Sequence, residues 1–323
     1  MDCRCLLFDL DGTPLRSDKS ISPCASAAWA SPWGMLPGGE GRRGPGHRDK
    51  RRVWDRGLAG GHRMMQTSLR TTFNEDVRNY DIDRPDYPKE LFSDILSYLD
   101  ERKAGKTALE IGIGTGQATK PFLDAGFRVT AIELGDRLAA YTAEKFRAWP
   151  GLRVFCADFM EAEPEAAGSF DLLYAATAFH WLPKPAGYLR AKKMLRDGGV
   201  IALFWNHPYM RRQDDPTNLA AAEVYDRLRP AGKEILEFHE TMTEPILAEL
   251  RAAGFRNAQA KLYHRVRTLT TEQYAALLNS YSDHRALDAA LRDRFAREMR
   301  EALHRVGGEI HIYDTIDLYL AEK

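Results

Sequence analysis

No apolar run in this sequence is long enough to cross a bilayer as a helix, so no membrane-embedded part is expected. An excess of charge of one sign is also missing. Lysine plus arginine and aspartate plus glutamate both number 46, for a formal net charge of zero. That excludes a chain-wide attraction to nucleic acid or to an anionic surface, though not a local basic patch. Cysteine is scarce: Cys3, Cys5, Cys24 and Cys156 show neither zinc-ligand nor redox spacing. They read as free thiols of a reducing compartment, and no metal site is expected. The N-terminus has neither the basic start nor the small-residue cleavage site of a secretory signal. A cytoplasmic location is the default expectation. No internal repeat divides the chain.

What is there falls into two parts. Residues 1–64 form an irregular extension. Cys5–Leu10 reads as a short strand, but after Pro23 the pattern dissolves into Trp, Gly, Arg and Pro, as in Pro37-Gly38-Gly39-Glu40-Gly41-Arg42-Arg43-Gly44-Pro45-Gly46. A segment with so little periodic apolar content does not fold by itself. Residues 65–323 are orderly. Pro88–Glu101 reads as a helix with Leu91, Ile95 and Leu99 on one stripe. Apolar strands then alternate with helices. The strands are Thr107–Ile113, Arg128–Leu134, Leu152–Ala157, Phe170–Ala178 and Gly199–Trp205, and the helices are Gln117–Ala125, Asp136–Ala148 and Ala186–Leu195. Continuous apolar strands joined by helical crossovers predict a parallel sheet covered on both faces, an α/β fold. A helix is expected over Thr243–Ala253 and a strand over Ala258–Leu269. Thr271–Arg305 reads as helical, with Leu287, Leu291, Phe295 and Met299 as a packing stripe, and a last strand follows over Glu309–Leu320.

The chemistry concentrates in Leu109-Glu110-Ile111-Gly112-Ile113-Gly114-Thr115-Gly116. These glycines end a strand and precede a helix, the context of a nucleotide-binding turn. Gly-x-Gly alone fits a tight structural turn, NAD or FAD as well. The dinucleotide fingerprint, however, places its third glycine where Gln117 stands, one residue after Gly116. Glu110 sits just before the loop, and a carboxylate there opposes a pyrophosphate. S-adenosylmethionine has no phosphate. It carries a sulfonium and an ammonium, both cationic, and Glu110 suits the ammonium directly or through water. The charge balance therefore favours S-adenosylmethionine over NAD. Glu133, ending the second strand before Leu134, is placed to accept both ribose hydroxyls of either ligand. Asp158, ending the third strand, can accept from an adenine amino group with Phe159 packed beside the ring. It can equally cap the next turn.

These residues, with Ala157-Asp158 and Phe170-Asp171-Leu172-Leu173, resemble the class I S-adenosylmethionine-dependent methyltransferases, specifically the methyltransferase type 11 group. Arg84-Pro85-Asp86-Tyr87-Pro88 resembles the family's N-terminal Arg-Pro-x-Tyr-Pro element. Ala178-Phe179-His180-Trp181 resembles the segment after the fourth strand in a branch that includes trans-aconitate-methyltransferase-like proteins. The resemblance covers residues 65–323. It implies a Rossmann-like, seven-stranded, mostly parallel sheet whose last strand is antiparallel, with Thr271–Arg305 as a helical insertion. It implies S-adenosylmethionine as cofactor, held by Glu110, Gly112, Gly114, Thr115, Gly116, Glu133, Leu134, Asp158 and Phe159, with Tyr80 and Arg84 closing over it.

His180 follows the fourth strand at the carboxyl edge, where ligands bind. It is the candidate base, or else it walls the substrate pocket together with Phe179 and Trp181. His207–Gly232 and Thr271–Arg305 are expected to supply further walls. Nothing in them marks a protein or nucleic acid acceptor, so the economical expectation is transfer to a small-molecule oxygen, nitrogen or carboxylate. A non-catalytic S-adenosylmethionine-binding protein and an NAD-linked oxidoreductase are the competing readings.

Phe8-Asp9-Leu10-Asp11-Gly12-Thr13 resembles the first motif of haloacid-dehalogenase-type hydrolases, in which the residue matching Asp9 is the nucleophile and that matching Asp11 an acid/base. The later lysine and acidic pair that this chemistry needs do not follow on a sheet of their own. Residues 1–64 therefore read as a truncated or frame-shifted remnant, or as a misassigned start near Met64 or Met65.

Overall fold

The computed structural model describes residues 85–229, 236–280, 284 and 287–323, plus two short pieces, Leu7–Phe8 and Pro14–Leu15, which pair antiparallel. Asp9, Asp11, Tyr80, Arg84 and the rest of the N-terminal segment lie outside the described residues.

Five strands pair in parallel: β1 (Thr107–Ile111), β2 (Arg128–Glu133), β3 (Leu152–Cys156), β4 (Phe170–Ala176) and β5 (Leu195–Tyr209). Two more complete the sheet, β6 (Arg256–Thr270) and β7 (Glu309–Glu322), and β7 runs antiparallel to both β5 and β6. The seven strands stand in the order β3-β2-β1-β4-β5-β7-β6. The order reverses at β1, with β4 beside it, and in such sheets ligands bind outside the carboxyl ends of the strands at this switch point.

Eight helices accompany the sheet among the described residues. They are α1 (Lys89–Glu101), α2 (Thr119–Asp124), α3 (Asp136–Lys145), α4 (Ala186–Met194), α5 (Pro216–Leu228), α6 (Glu244–Ala252), α7 (Thr271–Ser280) and α8 (Ala289–Arg305). Successive residues of a strand face opposite sides, and β4 uses both. Leu172 and Tyr174 join Leu91, Ile95 and Phe122 of α1 and α2. Leu173 and Ala175 join Tyr188 and Met194 of α4 and Leu250 of α6. A third cluster packs Val224 of α5, Tyr274 of α7 and Phe295 and Met299 of α8 on Ile310 and Ile312 of β7. Among the described residues, no helix is long and apolar enough to cross a membrane. No group of His, Cys, Asp or Glu there is arranged to hold a metal ion.

Three elements differ from the expectation. Thr271–Arg305 is not one helix: α7 ends at Ser280, and α8 restarts where the Asp288 side chain accepts from Leu291 N. The stripe keeps Phe295 and Met299 in the core, but Leu287 precedes α8. β5 runs on to Tyr209, past Pro208. Its register with β4 ends at Ala176 and Phe204, so the proline interrupts no ladder there. α5 is a helix the apolar pattern did not announce.

Asp171 ties the sheet's base together. It accepts from Gly105 N (3.0 Å), Thr107 N (2.9 Å), the Thr107 hydroxyl and the Arg196 guanidinium. Burial pushes its carboxyl up, but the bonds from Thr107, Arg196 and Gly105 outweigh it and leave the pKa below the ordinary value. A depressed carboxyl contributes stability above its unfolded pKa of about 3.9 and loses it as pH falls through the folded value. Asp171→Ala is expected to cost about 2–4 kcal/mol in urea unfolding at pH 7 and to flatten the loss of stability below about pH 4. An unchanged acid limb would show that Asp171 is not its source.

Candidate active site

The loop after β1 turns on three glycines in the left-handed region: Gly112 (φ 68°), Gly114 (φ 56°) and Gly116 (φ 84°). Close packing independently requires two of them. A Cβ on Gly112 would stand 2.7 Å from that of Ala178, and one on Gly116 would stand 2.4 Å from the Phe146 ring. The turn is closed by Gly116 N–H to Ile113 O at 2.9 Å, and Gly112 N–H reaches Ile132 O on β2 at 2.8 Å. Gly116→Val is expected to unfold the domain or cost at least about 3 kcal/mol, through left-handed strain and overpacking against Phe146. Thermal unfolding close to the parent's would show that Phe146 yields freely.

Two carboxylates flank the loop. Glu110 is 1% exposed, and its Oε2 accepts from the hydroxyls of Thr119 (2.7 Å) and Tyr174 (2.8 Å). Burial pushes its pKa up to about 8. The two hydroxyls oppose that rise and the charge of Glu133 adds to it. Glu133 closes β2, where its Oε2 accepts from Gly114 N at 2.9 Å and its Oε1 from Gly135 N at 3.0 Å.

An open cavity of about 1380 Å³ lies over the carboxyl ends of these strands. Glu133, Leu134, Leu138 and Phe159 line it on the β2 side, and Glu110, Gly112 and Gly114 line its middle. Beyond β4 its wall is Tyr87, Thr177, Asn206, Pro208, Arg267 and Leu277. Thr177 is β-branched yet has φ 51°, a conformation that costs about 1–3 kcal/mol and clusters at functional sites. Its N–H bonds Phe204 O, and its hydroxyl lies 2.8 Å from that of Tyr87.

His180 does not line this cavity. It lines a smaller one of about 330 Å³ with Tyr188, Trp205, His207 and Asp317. The Trp205 indole N–H donates to His180 Nδ1 at 3.0 Å. A neutral imidazole that accepts at Nδ1 carries its proton on Nε2.

Residues 109–203 match a family model described as a methyltransferase domain. An uncharacterized methyltransferase of Schizosaccharomyces pombe is 25% identical over 242 residues, covering 73% of this chain and 88% of that protein. A candidate methyltransferase of Dictyostelium discoideum is 30% identical over 152 residues, but there the match spans 45% of this chain and 52% of that protein. The solved structure of a candidate type II methyltransferase from Anaeromyxobacter dehalogenans shares the fold. Its TM-score is 0.52 at 20% identity, over 74% of this chain and 97% of that one. The chain contains a class I methyltransferase domain, and S-adenosylmethionine is its cofactor.

The methyltransferase cavity gathers Glu110, Gly112, Gly114, Glu133, Leu134, Phe159 and Trp181 of the residues expected from sequence. Thr115, Gly116, Asp158 and Phe179 stand off its wall. Thr115 takes a bond from Gln117 on its hydroxyl and one from Lys145 Nζ on its carbonyl at 2.9 Å. Asp158 Oδ1 accepts from Met160 N at 2.8 Å, the turn-capping alternative that its position also allowed. Phe179 is buried against Tyr188. Sequence reasoning missed Tyr87, Thr177, Asn206, Arg267 and Leu277 as lining residues. Of these, Leu277 lies in a segment expected to wall the pocket. Arg267 carried no signal, because alternating polar and apolar residues on an edge strand look solvated.

Proposed function

We propose that this methyltransferase methylates an oxygen, nitrogen or carboxylate of a small molecule held between Thr177 and Arg267. The observation that carries this reading is the wall itself, which runs on beyond the cofactor loop and is bounded by Tyr87, Pro208 and Leu277. A pocket bounded by those side chains suits a compact acceptor.

S-adenosylmethionine supplies the methyl as a sulfonium substituent, so the acceptor's lone pair forms the new bond while the C–S pair returns to sulfur. The chain's task is to bind, orient and exclude water. We assign the ribose hydroxyls to Glu133 and the adenine walls to Leu134 and Phe159. The ammonium end goes to Glu110 and the loop of Gly112 and Gly114. Thr115, Gly116 and Asp158 support this cradle from behind. Tyr80 and Arg84 are assigned to closing over it. His180, with Nδ1 engaged by Trp205, holds the Phe179–Trp181 turn so that Trp181 faces the cavity. His180→Ala is then expected to lower kcat by less than about tenfold without moving the pH profile, whereas loss of a general base costs about 10²–10⁴-fold. A drop of that larger size would restore His180 as the base.

The decisive experiment incubates the protein with methyl-labelled S-adenosylmethionine and a cell extract separated by size. Label in the low-mass fraction is the expected result. Label confined to protein or nucleic acid would sink the small-molecule assignment. Cofactor binding with no label transferred anywhere would favour a non-catalytic binding protein.

A further inference from the structure

We propose that the acceptor enters with an oxyanion pinned by Arg267 and a hydrogen-bond donor beside it read by Asn206, both contacts being set by the buried Asp314. This rests on the methyltransferase reading of the cavity and adds the chemical class of what fills its far end.

Position comes first. Arg267 lies on β6, and β5 and β7 stand between β6 and β4. At about 4.8 Å per strand, β6 is roughly 14 Å from β4. The cofactor's methionyl end belongs over β1 and β4, at the glycine loop. The Arg267 wall therefore serves the other molecule.

Orientation comes second. Asp314, on β7, is 1% exposed. Arg267 grips it with Nε and with Nη2, the latter at 2.9 Å from Oδ1. This side-on pair fixes the plane of the group. Arg265, two residues away on the same strand face, donates its Nε to Asp314 Oδ2 at 3.0 Å. Two guanidiniums thus converge on one carboxylate.

Asn206 adds the opposite polarity. Its side-chain nitrogen donates to Asp314 Oδ1 at 3.2 Å. A carboxylate only accepts, so the amide nitrogen must face it and the amide oxygen is turned away. That oxygen is buried and has no hydrogen-bond partner among the described residues, while Asn206 lines the cavity. A buried unsatisfied carbonyl is costly, and an N–H or O–H of the acceptor relieves it. One aspartate thereby presents a cation and a neutral hydrogen-bond acceptor on the same wall. Hydroxy or amino acids, or the corresponding phosphates, match that pair of contacts. Asp314 is a positioning residue in this scheme.

The test titrates lactate, phenyllactate and N-acetylserine, each against its uncharged amide, into protein saturated with adenosylhomocysteine. At least one acid is expected to bind about tenfold or more tightly than its amide, because a site built around a charged pair rejects the neutral analogue. Inorganic phosphate in a further arm separates the two oxyanions: tighter binding than the acids assigns phosphate, weaker binding assigns carboxylate. Arg267→Gln should abolish the acid preference, and Arg267→Lys should return part of it as charge without the fork. Adenosylhomocysteine affinity should stay within about twofold in both variants. The proposal is overturned if no acid outbinds its amide on the unaltered protein, or if R267Q keeps the preference. Failure of the unaltered protein to bind adenosylhomocysteine would instead sink the underlying methyltransferase reading.

Discussion

Glu133→Ala is expected to weaken adenosylhomocysteine binding by about 100-fold or more, the largest single effect of any residue in the cavity. The carboxylate has two tasks that fail together. Its oxygens receive Gly114 N and Gly135 N, so it holds the glycine loop against the start of α3. Its oxygens are also the acceptors proposed for two ribose hydroxyls. Hydrogen bonds to a charged group contribute about 1.5–3 kcal/mol each, so losing two accounts for the predicted factor. Glu133→Gln separates the tasks. It keeps the size but puts an amide nitrogen toward one of the two backbone N–H groups, so it should also lose more than about tenfold. Calorimetry on both variants measures this. An alanine variant that binds adenosylhomocysteine as tightly as the parent would remove Glu133 from the cofactor site.

The parts of this protein that were legible in its sequence are those where one physical rule acts alone. The β1 loop is one example, because positive φ at Gly112, Gly114 and Gly116 leaves a compositional mark. The central strands are another. Residues buried on both faces, as in Phe170–Ala176, give an unbroken apolar run. Legibility failed where a residue has two compatible jobs or where its partner is remote in sequence. Asp158 suits a ligand and a turn cap equally, and its contact with Met160 N is the cap. Gly116 belongs to the motif, yet its missing side chain makes room for Phe146 rather than for a ligand. Arg267 meets Asp314 across 47 positions of sequence, and nothing local to either residue records the pairing. α5 was readable. Asp215-Pro216 is an N-cap followed by proline at the first helical position, and Asp215 accepts from Thr217 N and Asn218 N. Its buried stripe is Ala220, Ala221 and Val224, too weakly apolar to stand out by periodicity.

The second large effect is a proton released when the cofactor binds. Glu110 is held near a pKa of about 8 chiefly by burial, well above the 4.5 of an ordinary glutamate. Around pH 7 it is therefore largely protonated. An ammonium placed in the middle of the cavity lies beside Glu110, and a cation within about 4–6 Å favours the carboxylate. Binding should then expel the proton, and affinity should rise with pH up to about 8, by as much as about tenfold per unit. Calorimetry at pH 7 in two buffers of different ionisation enthalpy reads this directly: a fraction of a proton released by the parent and none by Glu110→Gln. The folded state shows the same group with the opposite cost. Between about 4.5 and 8 the native protein holds a proton that the unfolded chain has lost, so stability falls as pH rises through that window. Glu110→Gln cannot titrate, so its stability should decline less from pH 5 to pH 8 even as its cofactor affinity drops. Equal proton release by parent and variant, or parallel pH–stability curves, would show that Glu110 is not the coupled group. If both differences appear, the buried carboxylate that weakens the fold at neutral pH is the one that binds the cofactor's cation.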